Sequence, residues 1–401
     1  MTATVEIPYG CYWSTPFARW QGSLANLHSL QFAARVTKEE LARRDIDGSV
    51  IDYGVLGMTR PERGSFYGLP WLAGLAGLGH VGGPTISQAC ATGVRIMLAA
   101  SQELQAGMAS CAVAVACDRT SNGPHIYYPN PAAPGGTGTG EDFIMENMAC
   151  DPLGGHSMTQ TAENVAKKYD IGTAEQHALV LRRERQYRMA LDDDQAFQRR
   201  YMTLPLPVPD PRFRKTAAEL AGDEGVRFST AEGLQALKPV IDGGTVTFGA
   251  QTHPADGNAG MLITTSARAV ELSRDKSIEV QILGFGLSRA ALAHMPEATI
   301  EAADRALRVA SVKLDQVDAI KTHNPFAVND IVFARATGAD LDSMNNYGCS
   351  LVFGHPNGPT GLRSTIELIE ELVIRGGGIG LFAGCAAGDT AMAVLIWVGD
   401  R

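Results

Sequence analysis

Four side chains stand where the chain turns between an apolar run and a helical one, and each is of a type that can do chemistry. Cys90 lies in SQACATG, after a short apolar lead and before a helical pattern, with Gly93 allowing a tight turn. A cysteine at a helix N-terminus faces free N–H groups and the positive end of the helix dipole, which favour its thiolate. It is a candidate nucleophile, with a buried structural thiol as the plain alternative. His355 lies in FGHPNGPTG, a turn stiffened by Pro356 and Pro359 and opened by glycines. An imidazole on such a turn can take a proton from a thiol; a solvent-facing turn histidine reads equally well. Cys385 in FAGCAAGD ends an apolar run at a turn of small residues. The amides of Ala386, Ala387 and Gly388 there can approach a ligand oxygen. Cysteine is also a common core filler. His323 in KTHNPFAVND closes the run AIKT, and the ends of parallel strands are where α/β proteins carry sites. A histidine that merely caps the strand is the alternative.

The patterns around these residues are those of a layered α/β protein. Leu24, Leu27, Leu30, Phe32, Ala33, Val36 and Leu41 fall near helical spacing, and a strand is predicted at the end of 45–57. A helix over 94–105 stops at Gly107 and is followed by the strand CAVAVAC. Residues 119–155 shift to Gly, Pro, Thr, Asn and Met, which reads as a long irregular insertion. Helices return over 159–191, with Thr161 and Thr173 as expected N-caps, and 245–265 reads as two strands around a turn. The last third alternates: strand 278–284, helix 299–310, strand 317–322, helices 327–337 and 361–374, strands 379–383 and 391–398. One repeat is visible. CATG, helix, Gly107, CAVAVAC resembles GPTG, helix, Gly376, GIGLFAGC, which predicts two similar halves with a site where their turns converge.

Composition narrows the classes. The 401 residues suggest two or three domain-sized units at ~150 residues each, or one duplicated one. Hydrophobic content of 45% excludes a disordered chain, and seven cysteines, few and odd in number, exclude a disulfide scaffold. A net charge of −9 argues against binding a nucleic-acid backbone. Residues 1–10 have neither a basic start nor an apolar core, so no export signal is expected. The apolar stretch 379–398 contains Asp389 and reads as buried strands rather than a membrane span. A cytoplasmic protein with reduced thiols is the expectation. Cys111, Cys117 and Cys150 lack metal-site spacing, so no metal is expected. TGTG near Thr137 lacks the strand and helix of a dinucleotide fingerprint. The basic residues Arg182, Arg183, Arg185, Arg188, Arg199, Arg200, Arg212, Arg214 and Lys215 read either as a solvated helix face or as a patch for an anionic ligand.

The order of the motifs (cysteine before a helix, HNPF, GHPNGPTG, Gly-flanked cysteine) resembles that of the thiolase family. QACATG is similar to its nucleophile turn, GHPNGPTG to its GHPxGxxG and GCAAGD to its CxGG. The segment HSMTQTAENVAKKYDIGTAEQ, 156–176, is similar to the HMGxTAENxA start in the loop over coenzyme A. The resemblance covers nearly the whole chain. It implies an α/β thiolase fold: two duplicated β-α-β-α-β-α-β-β halves in five layers with an inserted loop domain. The expected boundaries are 1–118 for the first part of the N-terminal half, 119–244 for the loop domain, 245–272 for the last strands of that half and 273–401 for the C-terminal half. It also implies acyl transfer between a 3-oxoacyl-CoA and coenzyme A, with coenzyme A as substrate and no permanently bound cofactor.

By the same resemblance Cys90 would carry the acyl group as a thioester, His355 would activate it and Cys385 would be the acid/base. The N–H groups of Cys90 and Ala387 would form one oxyanion hole, His323 and His355 the other. His156, Thr252 and Phe326 would lie on the substrate side. There are departures. His323 takes the place of an Asn found in many members, which resembles the His-Asp-x-Phe branch of sterol-carrier-protein thiolases, but Asn324 departs from that branch too. Ala387 replaces the first Gly of CxGG. Asp389 either brings a charge to the site or bonds turn amides. That branch includes members that take bulky, branched or aromatic acyl groups, and a few that work with a small zinc-ribbon/OB-fold subunit. Residues 127–140 would be an acyl-pocket wall or a loop at a subunit contact. A homodimer or a dimer of dimers is implied, with no nucleic-acid or membrane partner. Two other readings remain: a decarboxylating condensing enzyme using Cys90, His323 and His355, and a non-catalytic acyl-CoA-binding subunit.

Overall fold

The computed structural model describes residues 4–401. Its largest feature is an 11-stranded mixed sheet built from two halves in the same strand order. The first half runs Thr85–Ile86, Tyr53–Gly57, Cys111–Arg119, Ala255–Thr265, Val5–Glu6. The second runs Ala319–His323, Gly378–Ala386, Thr390–Asp400, Ile278–Arg289. Val5–Glu6 joins them, because Glu6 pairs with Thr264 on one side and Gln281 on the other. The second half has no counterpart of the edge strand Thr85–Ile86 among the described residues; Met344 makes only a single bridge to Ile320 there.

Helices Thr92–Gln105 and Gly358–Arg375 occupy equivalent places in the repeat and pack against each other between the two halves of the sheet. Their starts touch. A Cβ on Gly93 would lie 2.7 Å from Gly358 O and from Leu362 N, so only glycine lets the backbones come this close. Ser29–Arg43 and Gly68–Ala76 cover the outer face of the first half, and Ala298–Ala310 that of the second. The result is the expected five layers.

Gly358–Arg375 is buried to Leu372 on every side. Leu362, Ile366, Leu368, Ile369 and Leu372 fill the core; truncating one such leucine to alanine typically costs about 2–5 kcal/mol. Its charged residues are inside too, each with a partner. Arg363 holds Asp223 (2.6 Å), Glu367 holds Lys321 (2.9 Å) and Glu370 holds Arg200 (2.5 Å). Asp223 and Arg200 belong to the long insertion, so these pairs dock it on the central helix. Removing one member of such a pair leaves an uncompensated buried charge, at a cost of about 3–5 kcal/mol.

Several local expectations change. The stretch 119–155 is not irregular throughout: His125–Tyr128 pairs with Thr139–Asp142, and Met145–Ala149 is a short helix. The helices expected after it are present as Met158–Lys168 and Thr173–Arg199. Their N-caps are Ser157 and Gly172 rather than Thr161 and Thr173, which lie inside the helices. The hydroxyl of Thr173 instead donates to Thr245 O (2.8 Å). Residues 245–265 hold one long strand, Ala255–Thr265, not two. Gly257 and Gly260, which suggested a turn, lie in the strand because Phe17 and Trp13 fill the space a side chain would need.

Candidate active site

The first half contributes Cys90. Ala89 is at φ 44°, and Thr92 fixes the turn by accepting from Gln88 N (2.8 Å) and donating to Ala89 O (2.7 Å). The second half contributes two histidines. His323 ends strand Ala319–His323, and His355 sits on the turn before Gly358–Arg375. The three meet: Cys90 Sγ and one nitrogen from each ring lie within 4.8 Å of one another. The rings stack with centroids 4.0 Å apart. His323 Nδ1 faces Ser350 Oγ and His355 Nδ1 faces Thr360 Oγ1, both at 2.7 Å. Nε2 of each ring then has no partner among the described residues.

Burial decides the protonation states. It lowers His323 to about 3 and holds His355 well below the usual imidazole value, with the neighbouring His323 and the Arg60 guanidinium adding to the effect on His355. Both rings are therefore neutral near pH 7, and a neutral ring can take a proton from a thiol. Cys90 does not behave as its helix position suggests. The helix begins at Thr92, and burial pushes the thiol up to about 11 against the opposing influence of Arg60 and of the Ala387 and Cys90 N–H groups. An adjacent base is needed to activate it.

Cys385 is fully buried near the end of strand Gly378–Ala386. Asn329 Nδ2 donates to its sulfur at 3.2 Å. Burial raises its thiol well above the ordinary value, and the nearby Cys90 adds to the effect. Past Ala387, Asp389 bonds amides: its carboxylate accepts from Ala293 N (2.9 Å) and His294 N (3.0 Å), fixing the loop beside the turn. Cys90, His323 and His355 also have the composition of a zinc site. However, an ion bound to both ring nitrogens at ~2.0 Å must lie close to both ring planes, and planes stacked 4.0 Å apart at 28° do not meet that near the nitrogens. The geometry suits proton transfer better than coordination.

The other predicted residues lie around this centre. The Thr252 hydroxyl donates to Ser350 O (2.5 Å) and its N–H to Pro325 O (2.7 Å), so it braces the His323 side. Phe326 is buried, and its N–H donates to Asn329 Oδ1 (3.2 Å). His156 packs on Gly154 beside Leu292, next to the loop that Asp389 holds. The basic cluster divides. Arg183 is fully buried on Asp330 (2.8 Å), Arg182 pairs with Asp342 and Arg200 with Glu370. Arg185, Arg212, Arg214 and Lys215 are exposed. Tyr127 and Tyr128, in the stretch read as a pocket wall or contact loop, are exposed as well.

Residues 13–267 match the thiolase N-terminal domain and residues 276–398 the thiolase C-terminal domain. The chain belongs to the thiolase family. It is similar to the acetyl-CoA acetyltransferase of Escherichia coli, 28% identical over 95% of this chain and 96% of that one. Among solved structures it is similar to the Bacillus anthracis acetyl-CoA acetyltransferase, with a TM-score of 0.90, 25% identity and 99% of each chain covered. Human mitochondrial 3-ketoacyl-CoA thiolase shares the fold, with a TM-score of 0.89 at 24% identity over 99% of each chain. This thiolase is thus an acyltransferase with the five-layer α/β fold of its family. No helix among the described residues is long and apolar enough to cross a membrane.

Sequence reading missed Ser350, Thr360 and Asn329, the groups that orient this thiolase's two rings and its second thiol. Thr360 was visible in GHPNGPTG, but nothing marked it as a ring partner. Ser350 and Asn329 gave no signal, since only the fold brings them to His323 and Cys385. The buried rings also predict a pH dependence. His323 titrates near 3 when folded and near 6.5 when unfolded. The folded state then binds fewer protons between those values. Its contribution to stability is full above pH ~6.5 and is lost as pH falls, by roughly tenfold in the folding constant per unit. Urea midpoints should drop from pH 7 to pH 5, and drop less in His323→Asn.

Proposed function

We propose that the protein transfers acyl groups between a 3-oxoacyl-CoA and coenzyme A through a thioester on Cys90. The observation that carries this reading is the second thiol, Cys385, held by Asn329 and close enough to Cys90 to be raised by charge there. In thiolysis, His355 Nε2 takes the Cys90 proton and the sulfur attacks the 3-oxo carbon. The bond between C2 and C3 breaks, the acyl group stays on sulfur, and Cys385 gives its proton to C2 of the departing acetyl-CoA enolate. The Cys385 thiolate then takes the proton of incoming coenzyme A, whose sulfur attacks the acyl-Cys90. Acyl-CoA leaves, and Cys90 recovers its proton from His355. The N–H groups of Cys90 and Ala387 would hold the oxyanion at the acyl-cysteine. His323 Nε2–H, with protonated His355, would hold the enolate oxygen; losing one such donor typically costs about 3 kcal/mol.

A decarboxylating condensing enzyme generates its carbanion by loss of carbon dioxide and has no use for a second proton-handling thiol, so Cys385 favours thiolysis. A subunit that only binds acyl-CoA has no use for either thiol. In this reading residues 119–244 cover coenzyme A, with His156, Thr252 and Phe326 on the substrate side. His323, in the place of an Asn found in many members, resembles the branch that includes members taking bulky, branched or aromatic acyl groups, which makes such groups candidate substrates. All seven cysteines are unpaired, in keeping with a reducing cytoplasm. Phe66, 95% exposed, with Tyr67 and Leu75 beside the short edge strand supports a homodimer that covers this patch.

The test is thiolysis of acetoacetyl-CoA and of longer, branched and aryl 3-oxoacyl-CoAs, with and without a small zinc-ribbon/OB-fold partner, before and after iodoacetamide. Turnover of at least one of them should disappear as Cys90 is alkylated. Thiolysis that persists on fully alkylated Cys90 excludes the mechanism.

A further inference from the structure

Arg60 is a cation buried to 4% exposure in the first half, and no carboxylate lies within ion-pair distance of its guanidinium among the described residues. Nη1 donates to Thr59 Oγ1 and Nη2 to Asn357 Oδ1, both at 3.1 Å, while Nε–H has no partner. A charge in such a place is costly unless something offsets its lost hydration. Its surroundings reach across the molecule. Asp118, near the end of strand Cys111–Arg119, accepts from Thr59 N (2.8 Å), Thr59 Oγ1 (3.0 Å), Arg60 N (3.3 Å) and Gly358 N (2.8 Å). Asn357 stands at φ 72°, a left-handed conformation that a non-glycine residue keeps only when neighbours hold it. Thr59, Arg60 and Asp118 of one half therefore grip the turn that carries His355 in the other.

We propose that Arg60 is a positioning residue for the acylation step: it fixes the His355 turn through Asn357 and keeps behind that turn a positive charge, without a paired carboxylate, whose field reaches Cys90. The inference rests on Cys90 as the nucleophile. Among the groups that influence Cys90, Arg60 is the strongest that favours the thiolate, ahead of the Ala387 and Cys90 N–H groups. Asp118 opposes it, and Asp118 is itself pushed up to about 6 by burial. The remaining facing groups, His323, His355 and Cys385, are uncharged near neutral pH. The same positive charge disfavours protonation of His355, which keeps that ring neutral but makes it a weaker base, so the net gain to acylation comes from the thiolate side.

The experiment is the rate of iodoacetamide alkylation at Cys90, located by peptide mass and measured from pH 6 to 9.5, below the thiol's midpoint where the rate is proportional to the thiolate fraction, on the parent, Arg60→Gln and Arg60→Lys. It needs no substrate, so it reads the thiolate whether or not the thiolysis reading holds. Arg60→Gln should react about tenfold more slowly at each pH, which corresponds to a midpoint raised by about one unit. Arg60→Lys should restore at least half of that shift while kcat stays low, because lysine supplies charge but not the bond to Asn357. An Arg60→Gln rate within about twofold of the parent at each pH, roughly 0.3 unit in midpoint, overturns the proposal. If Arg60→Gln does not fold, Arg60→Met, which also removes the charge, takes its place: a rate about tenfold below the parent supports the charge role, and a rate within about twofold refutes it.

Discussion

Cys90→Ala is expected to lower 3-oxoacyl-CoA thiolysis by at least ~10⁴-fold and to abolish the acyl-enzyme that mass spectrometry should find on the parent after acetyl-CoA. The loss is large because the covalent step has no substitute. Without the sulfur, coenzyme A must attack the 3-oxo carbon directly, in a site whose imidazoles are aimed at position 90. The fold should survive, since Cys90 is only half-buried and alanine adds no volume. An acyl group that still appears on the variant would move the nucleophile elsewhere, and Cys385, the nearest other thiol, would be the residue to examine.

Cys385→Ala should separate the two halves of the reaction. Acetyl transfer from acetyl-CoA to Cys90 needs only the nucleophile, its base and the oxyanion donors, and should stay within about tenfold of the parent. Carbon–carbon bond making and breaking needs a proton moved at C2 and should fall by ~10²–10⁴-fold, the range general acid–base catalysis supplies. Exchange of labelled coenzyme A into acetyl-CoA reads the first, and acetoacetyl-CoA thiolysis the second. Equal loss of both would mean that Cys385 supports Cys90 rather than handling the substrate's proton. The Asn329 amide, left without its sulfur in this variant, costs about 1–3 kcal/mol of stability if it finds no other partner, so melting curves accompany the assay.

The amino-acid order alone carried the four motifs, the repeat and most elements of the last third. These are short-range properties. A strand pattern such as CAVAVAC, a helix stopped by Gly376 or a Gly/Pro turn around His355 is set by neighbours a few positions away. The equivalence of Gly93 and Gly361 was legible for the same reason, and the fold turns it into a contact between helix starts. The glycines of ADGNAG misled because their reason, the rings of Trp13 and Phe17, lies more than two hundred residues away.

Charge was where local reading ended. Arg363, Glu367 and Glu370 show the i,i+4 and i,i+3 spacing of a solvated face, yet they are buried on Asp223, Lys321 and Arg200. Arg60 and Asp118 gave no signal, and the thiol of Cys90 was expected low but is high. Each of these depends on desolvation and on partners brought from other parts of the chain. A sequence states which groups can ionise; only packing decides which of them lose water and what charge stands beside them.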